Sequence, residues 1–406
     1  MNQKIETSLS LYYQLFGKKQ VDKIKSKAKA LENKSILHIN STKFGGGVAE
    51  ILQSMVPLME ELNLNPDWRV FTAPESFFDI SKKMHNALQG NMEIKFSEQE
   101  INQYYEQAKL SYKEVDPHED FIIVHDPQPC PIISEVEEKK GKWIWRCHID
   151  TSNPNPQAWD LISKFLPIYD ALIFTKLEYA KKGINNQIFQ IPPSINPFST
   201  KNRDLKKSYA KEIVEKFVNM DKPLITQISR FDPWKDPLGV IDVYRKVNEK
   251  IPINLALIGS LAHDDPEGTD WLKKVKDYAN NDDNIYVLSN LDGVADLEVN
   301  AFQRVSDVIL QKSIKEGFGL TVTEALWKET PVVGGNVGGI KLQIENGVNG
   351  FLVDSIEEAA EKVIYLLRNP KEAKKMGKEG RKKVKAQFLL IRHLERYLDL
   401  FLEISK

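Results

Sequence analysis

Ser35-Ile-Leu-His-Ile-Asn40 is a short apolar run, followed by Ser41-Thr-Lys-Phe-Gly45-Gly46-Gly47 and then by a periodic segment. Val48, Ile51, Leu52, Met55, Met59 and Leu62 fall at spacings of three or four, the stripe of an amphipathic helix. Pro57 stands inside the stripe and is expected to kink or shorten that helix. The segment therefore reads as buried strand, glycine loop, helix.

The same alternation continues outward from it. Residues 121–124, 143–145 and 171–174 are apolar runs of strand length. After Pro192-Pro193-Ser194-Ile195-Asn196-Pro197 the pattern restarts, with strand candidates at 224–229, 253–258, 285–288, 307–311, 330–333 and 350–353. Helical segments, such as 356–368, follow most of them. Strands alternating with helices imply βαβ units and parallel sheets. The expected fold class is α/β, with two doubly wound domains facing across a cleft and ligands at the carboxyl ends of the strands. The proline-rich stretch is the natural boundary. It gives a first domain at 1–194 and a second at 195–386, with a final helix at 387–406 packing back on the first.

Composition narrows the classes further. The chain has 406 residues, enough for two sizeable cores. Lys plus Arg is 56 and Asp plus Glu is 57, a net charge of -1, which argues against a general nucleic-acid binder. The basic stretch 371–385 reads as a solvated helix face. Cys130 and Cys147 are the only cysteines, so no disulfide framework or multi-Cys metal site is expected. The first twenty residues lack the apolar core of a signal peptide, and no run has membrane-spanning length. A reducing cytoplasm, with no membrane or nucleic-acid partner, is the simplest reading.

Three loops that follow strand candidates carry possible chemistry. Gly45, Gly46 and Gly47 can bring backbone amides close to an anion at a helix start, although a permissive turn needs the same residues. Arg230 and Lys235 are five apart after a strand and suit a diphosphate, against the alternative of two solvated surface cations. Glu316 and Glu324 flank Gly317, Phe318, Gly319, Leu320 and Thr321. The amides of Gly319, Leu320 and Thr321 could meet phosphate, and the two carboxylates could accept bonds from sugar hydroxyls. Thr321-x-x-Glu324 is also a capping box, which requires no ligand. At Trp145-Arg-Cys-His-Ile-Asp150, strand alternation puts Arg146, His148 and Asp150 on one face, and His148 could reach a substrate hydroxyl. His263-Asp264-Asp265 lacks further ligands at metal spacing, and Asp265-Pro266 reads as a turn.

Arg230 with Lys235, then Glu316-Gly-Phe-Gly319 through Glu324, resemble the retaining nucleotide-sugar glycosyltransferases of family 4, which have the GT-B fold of two Rossmann-like domains. Within that family, His38-Ile-Asn-Ser-Thr-Lys-Phe-Gly-Gly-Gly-Val-Ala-Glu50, His85-Asn-Ala-Leu-Gln-Gly90, Trp145 through Pro156 and Ser229-Arg-Phe-Asp-Pro-Trp-Lys235 are similar to the trehalose glycosyltransferring synthases. The resemblance implies a hexosyltransferase that joins glucose from a nucleoside diphosphate glucose (ADP- or UDP-glucose) to free glucose. By the same resemblance the product is α,α-trehalose, in a reaction that is reversible in many members of the family. It implies no tightly bound cofactor and no metal at the catalytic site, with magnesium stimulatory at most, and it is compatible with a homodimer.

Roles follow by the same resemblance. Arg230 and Lys235 hold the diphosphate. Glu316 binds the donor 3-hydroxyl, with Gly317, Phe318 and Gly319 along the sugar. Leu320 and Thr321 offer amides to phosphate, and Glu324 binds the ribose hydroxyls. Gly46 and Gly47 approach the donor phosphate, and His148 the donor 6-hydroxyl. Asp150, His85, Asn86 and Gln128 help form the acceptor pocket. One departure is Asp236, where many members of the family carry Gly. Rival readings of the same architecture are a trehalose phosphorylase, a nucleotide-sugar epimerase and a non-catalytic sugar sensor.

Overall fold

The computed structural model describes residues 8–43, 46–261 and 266–406, with the backbone alone at 266–267. Phe44 and Gly45 of the glycine loop, and the His263–Asp265 segment, lie outside the described residues. The chain forms two compact units. One comprises the residues up to Pro193 together with Leu390–Lys406, and the other comprises Ser194–Leu389.

The first unit is built on a six-stranded parallel sheet. Its strands are β1 (Ser35–Asn40), β2 (Asn65–Val70), β3 (Phe121–His125), β4 (Lys142–Cys147), β5 (Ala171–Phe174) and β6 (Gln187–Gln190), in the order β2-β1-β3-β4-β5-β6. The interior strands are apolar runs because both of their faces are covered. Leu37, Ile122, Val124 and Trp145 enter one core cluster, while Phe121 meets Phe401 of the helix Leu390–Ile404, with ring centroids 4.5 Å apart. That last helix buries Leu394, Tyr397, Leu398 and Phe401, each fully buried apolar side chain contributing about 1.5–3 kcal/mol. The edge strands β2 and β6 were not apparent from sequence. They are polar and half-exposed, and Pro66 is tolerated in β2 because an edge needs fewer ladder bonds.

Pro57 neither ends nor shortens its helix, which runs Gly46–Glu61. Burial of Met55, Leu58 and Met59 on either side of it offsets the lost backbone bond.

The second unit repeats the architecture with β7 (Leu224–Ile228), β8 (Asn254–Gly259), β9 (Ile285–Ser289), β10 (Val308–Gln311), β11 (Val332–Gly335) and β12 (Phe351–Val353). The order is β12-β11-β10-β7-β8-β9, with every pairing parallel. Alternate residues of β8 serve opposite faces: Leu255 and Leu257 join one core cluster, Ala256 and Ile258 the other. The basic stretch lies in the helix Pro370–Gln387, with most of its lysines exposed.

Each sheet reverses its strand order once, between β1 and β3 in the first unit and between β7 and β10 in the second. Ligands of doubly wound sheets bind beyond the strand ends at such a reversal. The loops leaving β7 and β10 carry Arg230–Lys235 and Glu316–Glu324. The helix after β1 opens with Gly46 and Gly47, and the turn after β3 carries Gln128.

Candidate active site

In the second unit, β7 ends at Ile228 and the chain enters a short 3-10 turn, Pro233–Lys235. Asp232 caps that turn, its side chain accepting from the Lys235 amide at 3.2 Å. The loop after β10 is tied to the same turn by the Ile314 amide, 2.8 Å from the Trp234 carbonyl. These backbone ties bring Lys235 Nζ within 2.6 Å of Glu316 Oε2, with both side chains largely shielded from water. Ser313 Oγ donates to the same carboxylate oxygen at 3.3 Å. The Arg230 guanidinium is 65% exposed and stands 3.4 Å from Asp232, so its fork is open to an incoming anion. Burial raises the Asp232 carboxyl above its ordinary range, while Lys235 and Arg230 pull it back down.

Asp236 explains its own departure from the glycine of the family. Its φ of 52° is left-handed, a region open to Gly and tolerated by Asp. Its carboxylate caps the helix Pro237–Asn248 by accepting from the Gly239 amide at 3.2 Å, and it also pairs with Lys312. A cap and an ion pair here stand in place of a glycine's freedom.

The helix Leu320–Trp327 starts beyond Gly319, whose φ of 83° turns the chain into it. Leu320 and Thr321 occupy its first positions, where amides have no acceptor within the helix. This corrects the capping-box reading. The N-cap is Gly319, so Thr321 is already helical and Glu324 lies a turn further in. Glu324 is 2% exposed, accepts from Gln303 Nε2 at 2.9 Å and has Lys201 Nζ at 3.8 Å. Phe318 is buried against Phe388. The Glu316–Gly319 loop is also held from behind. Gly339 donates to the Glu316 carbonyl at 3.1 Å, and Gln343 donates to the carbonyls of Phe318 and Gly319 at 2.5 and 3.2 Å.

In the first unit, Gly46 has φ of 77° and Gly46 and Gly47 open the helix Gly46–Glu61. β4 ends at Cys147, so the alternation expected for Arg146, His148 and Asp150 stops short of the last two. Arg146 is fully buried, and its three guanidinium nitrogens have no hydrogen-bond partner among the described residues. His148 is half-buried; its amide donates to Asp126 Oδ1 at 2.8 Å and its Nε2 lies 3.3 Å from His125 Nδ1. Burial, with the Arg146 charge added, holds His148 well below its ordinary range. Asp150 accepts from the Ser152 amide and hydroxyl at 3.0 and 2.6 Å. His85 and Asn86 lie in the last turn of the helix Glu75–Leu88, where His85 Nε2 is 2.6 Å from Gln89, and Gln128 is half-buried after β3.

Sequence reasoning missed Ser313, Gln343, His125 and Asp126. Ser313 and Gln343 carry no pattern of their own. His125 was legible: one more residue on the strand beginning at Phe121 puts it at the carboxyl end, where ligands collect. Among the described residues no group of three or more His, Cys, Asp or Glu side chains is arranged to hold a metal ion, and no helix is long and apolar enough to cross a membrane.

Two Rossmann-like units, the second with cations and a helix start at its strand reversal, make up a GT-B fold. Residues 38–181 match the family described as the N-terminal domain of trehalose synthase, and residues 209–383 match group 1 glycosyl transferases. The chain is 49% identical over 393 residues to the trehalose synthase of Thermococcus litoralis, covering 96% of this chain and 95% of the relative. It is 44% identical over 405 residues to the trehalose synthase of Rubrobacter xylanophilus, covering 98% and 97%. The chain belongs to the trehalose synthase family. The structure of sucrose-phosphate synthase from Thermosynechococcus elongatus shares the fold, with a TM-score of 0.73 at 15% identity over 92% of this chain and 99% of that one.

Proposed function

We propose that the protein transfers glucose, with retention, from a nucleoside diphosphate glucose to free glucose and so makes α,α-trehalose, reversibly. Breaking the donor bond puts negative charge on the β-phosphate and positive character on the sugar. Preorganised cations and helix-start amides aimed at that phosphate lower the barrier. Lys235 suits this role because an ammonium has three donors; one engages Glu316 and others remain for phosphate. Arg230 supplies a second, solvated cation. Glu316 and the Gly317–Gly319 backbone would hold the hexose, and Leu320 and Thr321 the phosphate.

Glu324 would take the ribose hydroxyls, a role its release from capping leaves open. His148 would hydrogen-bond a sugar hydroxyl, with Gly46 and Gly47 near phosphate and Asp150, His85, Asn86 and Gln128 at the acceptor. The acceptor hydroxyl attacks the face the diphosphate leaves: the new C1–O bond forms as the old one breaks, and the proton passes to a phosphate oxygen. The first unit, expected from sequence at 1–194 with 387–406 and bounded in the structure by Pro193 and Leu390, would be the acceptor domain, and the second the nucleotide-sugar domain. A cytoplasmic location and a homodimer complete the reading, the latter testable by light scattering.

The observation that carries the proposal is the Lys235–Glu316 pair beside a helix start at the β7/β10 reversal. The test is to incubate purified protein with trehalose and each nucleoside diphosphate in turn. Glucose plus a nucleoside diphosphate glucose is expected. Phosphate-dependent breakdown without nucleotide would establish a phosphorylase, and a changed sugar from nucleoside diphosphate glucose incubated without acceptor would establish an epimerase.

A further inference from the structure

His148 is the outer end of a chain of three imidazoles. His38 Nδ1 lies 3.0 Å from His125 Nε2, and His125 Nδ1 lies 3.3 Å from His148 Nε2. The rings of His125 and His148 are inclined by only 17°. His38 and His125 are buried, at 0% and 3% exposure, at the centre of β1 and the end of β3. Desolvation holds His38 down to about 3, and His125 and His148 well below the ordinary histidine range. All three rings are therefore neutral, with one N–H each.

Two neutral arrangements satisfy both contacts, and in each the rings are locked together. If His38 donates from Nδ1, His125 accepts at Nε2, carries its proton on Nδ1 and donates to His148 Nε2. If His38 instead accepts at Nδ1, every proton moves to Nε2. The inner end of the chain distinguishes them. His38 Nε2 is buried and has no hydrogen-bond partner among the described residues. The second arrangement strands an N–H there; the first strands only a lone pair, and buried N–H groups without acceptors are the rarer defect.

We propose that His38 and His125 are positioning residues that fix the tautomer of His148, so that its proton sits on Nδ1 and it meets a sugar oxygen as a hydrogen-bond donor. The part concerning sugar rests on the function proposed above; the tautomer does not. His148 Nε2 is occupied by His125, which leaves Nδ1 as the ring nitrogen for a ligand. Neutral imidazole in water favours a proton on Nε2, so three rings protonated on Nδ1 would bear the mark of the protein.

The test is a two-bond proton–nitrogen correlation spectrum of protein labelled with 15N-histidine at neutral pH, assigned with His38→Asn, His125→Asn and His148→Gln. Nitrogen shifts separate protonated from bare ring positions. The expected result is a protonated Nδ1 and a bare Nε2 on all three rings. A proton on Nε2 of His148, or an imidazolium on any of the three, overturns the proposal, and the wild-type spectrum suffices for this. His38→Leu should release the His148 tautomer and lower kcat roughly tenfold, the scale of one hydrogen bond. His38→Asn, whose amide replaces the Nδ1 donor, should restore both. A loss of activity in His38→Leu with the His148 tautomer unchanged would assign His38 a packing role alone and overturn the proposal. The expected tautomers in a protein that forms no trehalose would sustain the relay and sink the functional reading.

Discussion

Lys235 Nζ and Glu316 Oε2 stand 2.6 Å apart although they are 81 positions apart in sequence. The contact joins the loops leaving β7 and β10, the two strands at which the second sheet reverses. Lys235→Ala and Glu316→Ala should each lower kcat by roughly 10²-fold or more, the scale of one transition-state electrostatic contact. Lys235→Arg should not rescue, because a planar fork does not fill the place of a compact ammonium. Steady-state kinetics of trehalose formation check this, and near-normal rates in both alanine variants would count against the assigned site.

Gly339 is the support behind the Glu316–Gly319 loop. A Cβ there would come within 2.4 Å of Phe318 Cα and 2.5 Å of the Gly317 carbonyl, both backbone atoms that cannot swing aside. Gly339→Ala should raise the KM for donor and lower kcat, with a stability cost of about 1–3 kcal/mol. Kinetics and urea unfolding, measured together, separate the displaced loop from general unfolding.

Asp236 offers a comparison between two replacements. Asp236→Ala loses the helix cap and forces an unfavourable left-handed conformation, together costing about 1–3 kcal/mol. Asp236→Gly loses the cap without that strain and should cost less than half as much. Equal destabilisation of the two in urea titrations would show that φ at this position does not matter.

Acid should destabilise the first unit. His38, His125, His148 and His393 are all held below the ordinary range when folded. Unfolded, they titrate near about 6.5, so the unfolded state binds more protons below that pH and stability falls as pH falls. Asp126, pushed up to about 7 by burial, acts oppositely, since the folded state keeps its proton between about 4 and 7. Four groups against one leave a net uptake of protons on unfolding near pH 5. Unfolding free energies at pH 5, 6 and 7 give that slope directly; a flat profile would mean that the cluster is solvated.

The interior strands were legible because burial on both faces makes them continuous apolar runs, as at Phe121–His125 and Asn254–Gly259. The edge strand Asn65–Val70 was not, because one side meets solvent and its composition resembles a loop. Within the candidate site, glycines and charges after strands marked Lys235 and Glu316 as candidates. The supports behind them have no local signal. Gln343 reaches Phe318 and Gly319 only after the chain has passed through β11, and His125 reaches His148 from a neighbouring strand. The apparent capping box at Thr321 failed because the pattern fixes spacing but not where a helix begins, which Gly319 decides.

The first unit is interrupted in sequence by the whole of the second, and its covering helix Leu390–Ile404 comes after residues 194–389. Until that helix is made, Phe121 and His38 lack the partners they have in the folded protein, Phe401 and Tyr397. The nascent chain must shelter both side chains while another complete Rossmann layer is being translated, which makes the late helix a latch on maturation.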